Sequence, residues 1–152
     1  MHQEIIVREA LQEDADSIIN FQLAMALETE NLSLDRTVTA RGVRAVFRDP
    51  SKGKYYVAVE AGTIAGCMLT TPEWSDWRNR TVLWIQSVYV LPQYRKKGVF
   101  RRLFELLLEE ARKDNTIGGI RLYVDRSNKQ AQSVYTRLGM DGEHYQVFEW
   151  MK

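Results

Sequence analysis

The sequence predicts an α+β domain whose sheet is mixed and mostly antiparallel, with one parallel pair of strands and four flanking helices. Strand-like runs of β-branched and aromatic residues alternate with helical stripes in the order β-α-α-β-β-β-α-β-α-β. Ala61-Gly62-Thr63 is a short Gly-containing loop between two such runs, the connection an antiparallel hairpin uses. A long helical pattern separates the fourth run from the fifth, and a helix between two strands makes a crossover, so that pair should be parallel.

At 152 residues the chain suffices for one domain with a sizeable core, taken as 1–152, with no linker, internal repeat or low-complexity stretch. The composition, 45% hydrophobic and 27% charged, is ordinary for a globular protein. A formal net charge of +1 gives no global pull towards nucleic acid, so any basic cluster is a local feature. Cys67 is the sole cysteine, which forbids an intrachain disulfide and suits a reducing, cytoplasmic setting. No signal-peptide pattern opens the chain, and no apolar run reaches the ~20 residues of a membrane span. His2 and His144 lack metal-ligand spacing, so no metal site is expected.

In chain order, Glu4 to Arg8 reads as the first strand. Asp14 can cap a helix running to about Glu28, with Ile18, Phe21, Leu23, Met25 and Leu27 as its apolar contacts. A polar loop to Val38 follows, then a short helix capped by Thr39, with Val43, Val46 and Phe47 at helical spacing, ending near Pro50. Tyr55 to Glu60 and Ile64 to Thr71 are the hairpin strands. The stretch from Pro72 to Asn79 is too polar for a strand yet carries Trp74 and Trp77. Thr81 to Leu91 is an apolar, buried strand, closed by Pro92, which has no N–H for a ladder. Gly118-Gly119 leads into a strand at Ile120 to Val124. Ser127 and Asn128 open a helix, with Gln130 completing a capping box and Gly139 ending it. Tyr145 to Trp150 reads as the last strand.

The stretch from Gln86 to Arg102 is the informative one. After Pro92 the pattern turns helical, with Phe100, Leu103, Phe104, Leu107, Leu108 and Ala111 forming one stripe. Arg95, Lys96, Lys97, Arg101 and Arg102 crowd the start of that helix, where the backbone already carries about half a positive charge. Cations there are locally unfavourable, and an anion on the unpaired N–H groups, phosphate above all, would remove the conflict. Gly98 fits, because a residue without Cβ lets the backbone approach a ligand. The plainer readings are a solvated basic turn or a nucleic-acid patch. Upstream, the polar pair Gln86-Ser87 interrupts an apolar run, and a bulge there would free backbone groups.

Arg95-Lys96-Lys97-Gly98-Val99-Phe100, after a Val-Tyr-Val strand and a proline, resembles the pyrophosphate loop of the GNAT superfamily of acyl-CoA N-acyltransferases, whose pattern is Gln/Arg-x-x-Gly-x-Gly/Ala. Arg95 and Gly98 match; Phe100 stands where a small residue is usual. The resemblance implies a GNAT-like sheet whose parallel pair splays apart to admit acetyl-CoA as acyl donor. It implies cofactor contacts from Val88, Tyr89 and Val90 on the strand and from Arg95, Lys96, Lys97, Gly98, Val99, Phe100 and Arg101 in the loop. Asn128, Ala131 and Tyr135 match an Asn-x-x-Ala-x-x-x-Tyr arrangement, so Asn128 would contact pantetheine and Tyr135 would be the catalytic acid. A tyrosine on an apolar helix face is otherwise ordinary core.

Transfer to an amine also needs that amine neutral, although a lysine-like amine has a free pKa of about 10.4. The family often uses a glutamate on the central strand, where this chain has Gln86, which is no useful base. Glu28, Glu30, Glu73 and Asp76 are loop alternatives, each also readable as a solvated acid, and substrate could arrive already deprotonated. Trp74, Trp77 and Trp84 beside acids suit a cationic amine, and equally suit packing of a long loop. The expected activity is acetyl-CoA-dependent N-acetylation of a small-molecule or peptide amine in a ternary complex, with no nucleic-acid or membrane partner and with a homodimer left open. The rivals are a non-catalytic acyl-CoA-binding module and a nucleic-acid binder using Arg95 to Arg102.

Overall fold

The computed structural model describes residues 3–152, so His2 lies outside the described residues. They divide into two compact units, one ending at Leu122 and the other spanning Tyr123–Lys152.

The first unit is built on a five-stranded sheet in the spatial order β1-β2-β3-β4-β5, from β1 (Ile6–Glu9), β2 (Lys54–Glu60), β3 (Thr63–Ser75), β4 (Arg80–Val90) and β5 (Ile117–Leu122). Neighbours are antiparallel except β4 and β5, which are parallel, as the crossover helix α3 (Val99–Lys113) between them requires. Helices α1 (Ala15–Glu30) and α2 (Arg36–Arg48) precede β2. Ile18, Ile19 and Phe21 of α1 and Val43 of α2 pack with Tyr55, Val57, Cys67 and Tyr89, which alternation puts on one sheet face. Tyr56 points to the other face, where its hydroxyl donates to Glu110 of α3 at 2.6 Å. The sheet is therefore sandwiched, α1 and α2 on one side and α3 on the other.

Several boundaries differ from expectation for physical reasons. Asp14 does precede α1, but its carboxylate turns back to accept from the Leu11 N–H at 2.7 Å and from Arg8 at 2.7 Å. Asp35, not Thr39, caps α2, its Oδ1 accepting from the Val38 N–H at 3.1 Å, so the helix starts four residues early. Residues 72–75, expected to be too polar for a strand, extend β3 by pairing with residues 80–83 of β4. Cross-strand partners there outweigh low intrinsic propensity. Strand β5 begins at Ile117 and takes in Gly118 and Gly119, because the parallel ladder to Thr81 and Val82 reaches them.

In the second unit, α4 (Lys129–Arg137) is capped by Asn128, whose Oδ1 accepts from the Ala131 N–H at 3.1 Å. Ser127 does not serve as the cap; its hydroxyl donates to Asp125 at 2.5 Å. Gly139, at φ +89°, ends the helix as expected: its N–H reaches the Thr136 carbonyl and the Met140 N–H reaches that of Tyr135. Residues 145–150 form no strand, and Tyr145, Val147, Phe148 and Trp150 are exposed. Their β propensity is real, but without a ladder in register propensity alone does not make a strand.

Candidate active site

The site begins with an interruption in β4. Leu69 pairs with Ser87 and Thr70 with Ile85, so Gln86 is the extra residue of a bulge, at the polar pair that suggested one. Pairing of β4 to β5 stops at Ile85 opposite Leu122. Beyond the bulge β4 remains bonded to β3, and the Leu91 N–H meets the Ala65 carbonyl at 2.9 Å. By alternation, the backbone N–H and C=O of Val88 and Val90 point away from β3. That edge is what an extended ligand chain could pair with, as in strand addition. The Ser87 hydroxyl, beside it, is buried with no hydrogen-bond partner among the described residues.

Pro92 ends the ladder with one 3-10 turn, and the chain then makes two left-handed steps, Lys96 at φ +63° and Gly98 at φ +76°. A Cβ on Gly98 would meet nothing within 4 Å, so the protein leaves open space there. The first bond inside α3 runs from the Arg102 N–H to the Gly98 carbonyl at 3.0 Å, which leaves the first-turn amides without acceptors in the helix. Val99 is buried in the core, while the Phe100 ring lies 6.0 Å from that of Phe104. A large residue at position 100 is thus accommodated along the helix.

The basic cluster is not uniform. Arg102 donates to the Ile5 carbonyl at 2.7 Å, and Arg101 pairs with Glu105 at 2.9 Å. Lys97 lies 5.5 Å from the centre of the Tyr94 ring, and Lys96 has no ion-pair partner among the described residues. Arg95 turns away from the helix: Nη2 donates to Glu28 at 2.8 Å and Nε to the Val90 carbonyl at 2.9 Å. The other oxygen of Glu28 accepts from the Tyr89 hydroxyl at 2.9 Å. Hydrogen bonds from Arg95 and then Tyr89 hold the Glu28 carboxyl below its usual range. Burial, then Glu28 itself, pushes the Tyr89 phenol up.

A second polar group lies on the α1/α2 face of the sheet, past the bulge. Glu73 of β3 accepts from Trp84 Nε1 of β4 at 2.5 Å and from Arg121 of β5 at 2.6 Å. Gln86 donates to the Thr71 hydroxyl at 2.9 Å. Trp74, one residue on from Glu73, faces the opposite side and is exposed, and Trp77 sits at the hairpin turn, almost fully exposed. The three tryptophans therefore do not converge; only Trp84 joins an acid on this face. Sequence reading missed Arg121, although one charge inside Ile-Arg-Leu-Tyr-Val was a visible signal. It also considered only the backbone of Tyr89.

Cys67 is fully buried, and burial pushes its thiol up to about 12, which removes it as a nucleophile. His144 packs edge-on against Tyr145 at 4.6 Å. No group of three or more His, Cys, Asp or Glu among the described residues could hold a metal ion, and no described helix is long and apolar enough to cross a membrane. In the second unit, Tyr135 lies on α4, and burial pushes its phenol up, so it stays protonated well past neutral pH.

A sequence model of the Acetyltransferase (GNAT) family matches residues 16–140. A possible acetyltransferase from Clostridium difficile 630 shares 42% identity, with 97% of each chain covered and a TM-score of 0.89. Two more distant structures share the fold. Aminoglycoside N-acetyltransferase AAC(6')-Iy in complex with CoA is 13% identical at a TM-score of 0.79, covering 100% of this chain and 97% of that one. Ribosomal-protein-alanine N-acetyltransferase from Brucella melitensis biovar Abortus 2308 is 12% identical at 0.76, covering 97% and 100%. No curated protein matches the chain by sequence.

Proposed function

The chain belongs to the GNAT acetyltransferase family and is an acyltransferase, and from that premise we propose that it moves an acetyl group from acetyl-CoA to a primary amine by direct attack within a ternary complex. The observation that carries the reading is the sequence of events along β4 and α3. A bulge at Gln86 precedes a strand edge that no longer pairs with β5, and the same strand leads into a left-handed, Gly98-centred turn at a helix N-terminus ringed by cations. Such an edge and such a turn fit an elongated ligand with a chain of amides and a phosphorylated end.

Acetyl-CoA supplies a thioester whose carbonyl carbon accepts the amine nitrogen while its sulfur leaves as a thiolate. In this reading the outward groups of Val88 and the N–H of Val90 hold the pantetheine chain, the Val90 carbonyl being taken by Arg95, and the first-turn amides of α3 with Lys96 and Lys97 receive the phosphates. The N–H of Val88 would polarise the thioester carbonyl as charge develops on its oxygen, whereas that of Tyr89 faces β3. Tyr135 holds a proton that it can give up to a thiolate. Trp84 and Glu73 present an aromatic ring and an acid at the end of β3, which supports a cationic acceptor on that face. A cytoplasmic location belongs to the same reading, since a reduced, buried Cys67 suits it.

The test is turnover. Purified protein with acetyl-CoA and a panel of amine metabolites and peptides should release free thiol and yield an acetylated product by mass spectrometry. Absence of product across the panel, with no rise in melting temperature on adding acetyl-CoA, would overturn the proposal.

A further inference from the structure

We propose that Glu28 is a positioning residue: it docks the C-terminal end of α1 onto the first residue of the β4–α3 turn and so holds that turn in the shape that receives phosphate. The inference rests on the acyl-donor reading above, and it concerns an acid that the sequence offered as a candidate base and substrate contact.

Arg95 is held on three sides. Glu28 takes its Nη2 at 2.8 Å, the Val90 carbonyl takes its Nε at 2.9 Å, and its guanidinium lies 5.6 Å from the centre of the Tyr89 ring. Tyr89 is itself fixed from α1 twice. Phe21 packs on its ring at 5.3 Å, and Glu28 accepts from its hydroxyl at 2.9 Å. Phe21 and Glu28 are seven residues apart, which puts them on one helix face two turns from each other. The end of α1, strand β4 and the turn are therefore joined through one carboxylate.

The turn needs such an anchor because of its backbone. Lys96 follows Arg95 directly at φ +63°, and Gly98 comes two residues later at φ +76°. A residue with a Cβ is disfavoured in that region relative to right-handed backbone. Like charges on Lys96, Lys97 and Arg101 add repulsion before any anion arrives. A turn released at Arg95 would spend more time in relaxed, right-handed shapes, and apparent affinity falls with the fraction of molecules still in the receptive shape. The pair is well exposed, Arg95 by 46% and Glu28 by 40% of the side chain, so the effect should be modest.

The experiment is calorimetric titration of CoA into the wild type, Glu28→Gln, Arg95→Gln and the double variant. Pantetheine, which lacks phosphates, is measured in parallel by competition. Glu28→Gln keeps an oxygen for Tyr89 but turns an amide NH2 towards Arg95. Each single variant should bind CoA about three- to tenfold more weakly, the double variant no worse than the weaker single, and pantetheine affinity should not move. CoA binding within twofold of wild type, tighter binding, an additive double variant, or an equal loss for pantetheine overturns the positioning role. A wild-type protein that does not bind CoA removes the acyl-donor reading together with this one. A wild type that binds CoA beside an unaltered Glu28→Gln removes only this one.

Discussion

Gly98 offers a direct separation of backbone strain from ligand contact. At φ +76° and ψ +20° it occupies the left-handed region, and an added Cβ would meet no protein atom within 4 Å. Gly98→Ala should therefore cost only the conformational term, about 1–2 kcal/mol, with no steric contribution. For a chain of this size that lowers Tm by roughly 2–8 °C. Gly98→Asp occupies the same space and tolerates the left-handed region somewhat better, so the two variants should have similar stability. They differ in charge at the place assigned to phosphate. A carboxylate within about 6 Å of a phosphate charge repels it by about 3 kcal/mol at an effective dielectric of about 20. Screening in an exposed turn reduces this, and a residual ~1.4 kcal/mol is still tenfold in affinity. Calorimetric titration should thus show Gly98→Asp binding acetyl-CoA at least about tenfold more weakly than Gly98→Ala. Equal affinities in two folded variants would refute the placement of phosphate at this turn.

Other expectations test separate parts of the site and the fold. Tyr135→Phe keeps the ring but removes its proton, so single-turnover rates should fall by about 10²–10⁴-fold with acetyl-CoA affinity little changed; wild-type rates would remove the acid role. The pH dependence of kcat/KM should follow the acceptor, because Arg95 holds Glu28 below the usual range and makes it a weak base. Its acid limb should shift when amines of different pKa are compared, whereas a limb fixed at one pH would reveal a protein base. Burial pushes the Asp14 carboxyl up, but bonds from Arg8 and the Leu11 N–H outweigh it, leaving its folded pKa below the unfolded value of about 3.9. Its stabilisation is thus complete above about pH 4 and is lost as pH falls through the folded value. Asp14→Asn should lower stability by about 1.5–3 kcal/mol at pH 7, a deficit that shrinks in acid denaturation followed by circular dichroism.

The extent to which this molecule was legible in its sequence depended on whether a signal was local. The parallel β4–β5 pair followed from a helix lying between two apolar runs, and the bulge followed from Gln86-Ser87 inside one of them. The turn before α3 was marked by Gly98 and by cations placed against the helix dipole, but its left-handed steps at Lys96 and Gly98 were not read. The errors came where partners distant in sequence decide. Residues 72–75 look like a loop until β4 is laid beside them, and Gly118 and Gly119 look like a turn until Thr81 and Val82 supply a ladder. Residues 145–150 look like a strand, yet they join no ladder. Cap identity also escaped, since Asp35 and Thr39 both suit an N-terminus and only geometry shows that Asp35 reaches the Val38 N–H.

The same distinction governs the acids. In the sequence Glu28 and Glu73 were alike, two carboxylates near the expected acceptor side. Folding places both on the α1/α2 side of the molecule and gives each a cation and an aromatic donor: Arg95 and Tyr89 for Glu28, Arg121 and Trp84 for Glu73. Bonds from Arg95 and then Tyr89 hold the Glu28 carboxyl below its usual range, so it is better suited to fixing neighbouring groups than to abstracting a proton from an ammonium. Glu73 is likewise engaged, by Arg121 and Trp84. That leaves the buried Ser87 hydroxyl and the Gln86 amide as the polar groups at the bulge, and neither is a base at neutral pH. Under the proposed acyl-donor reading, this arrangement suits an acceptor amine that is neutral on arrival. In such a site attack is promoted by alignment and by backbone donors along β4, and the side chains around it contribute shape and charge.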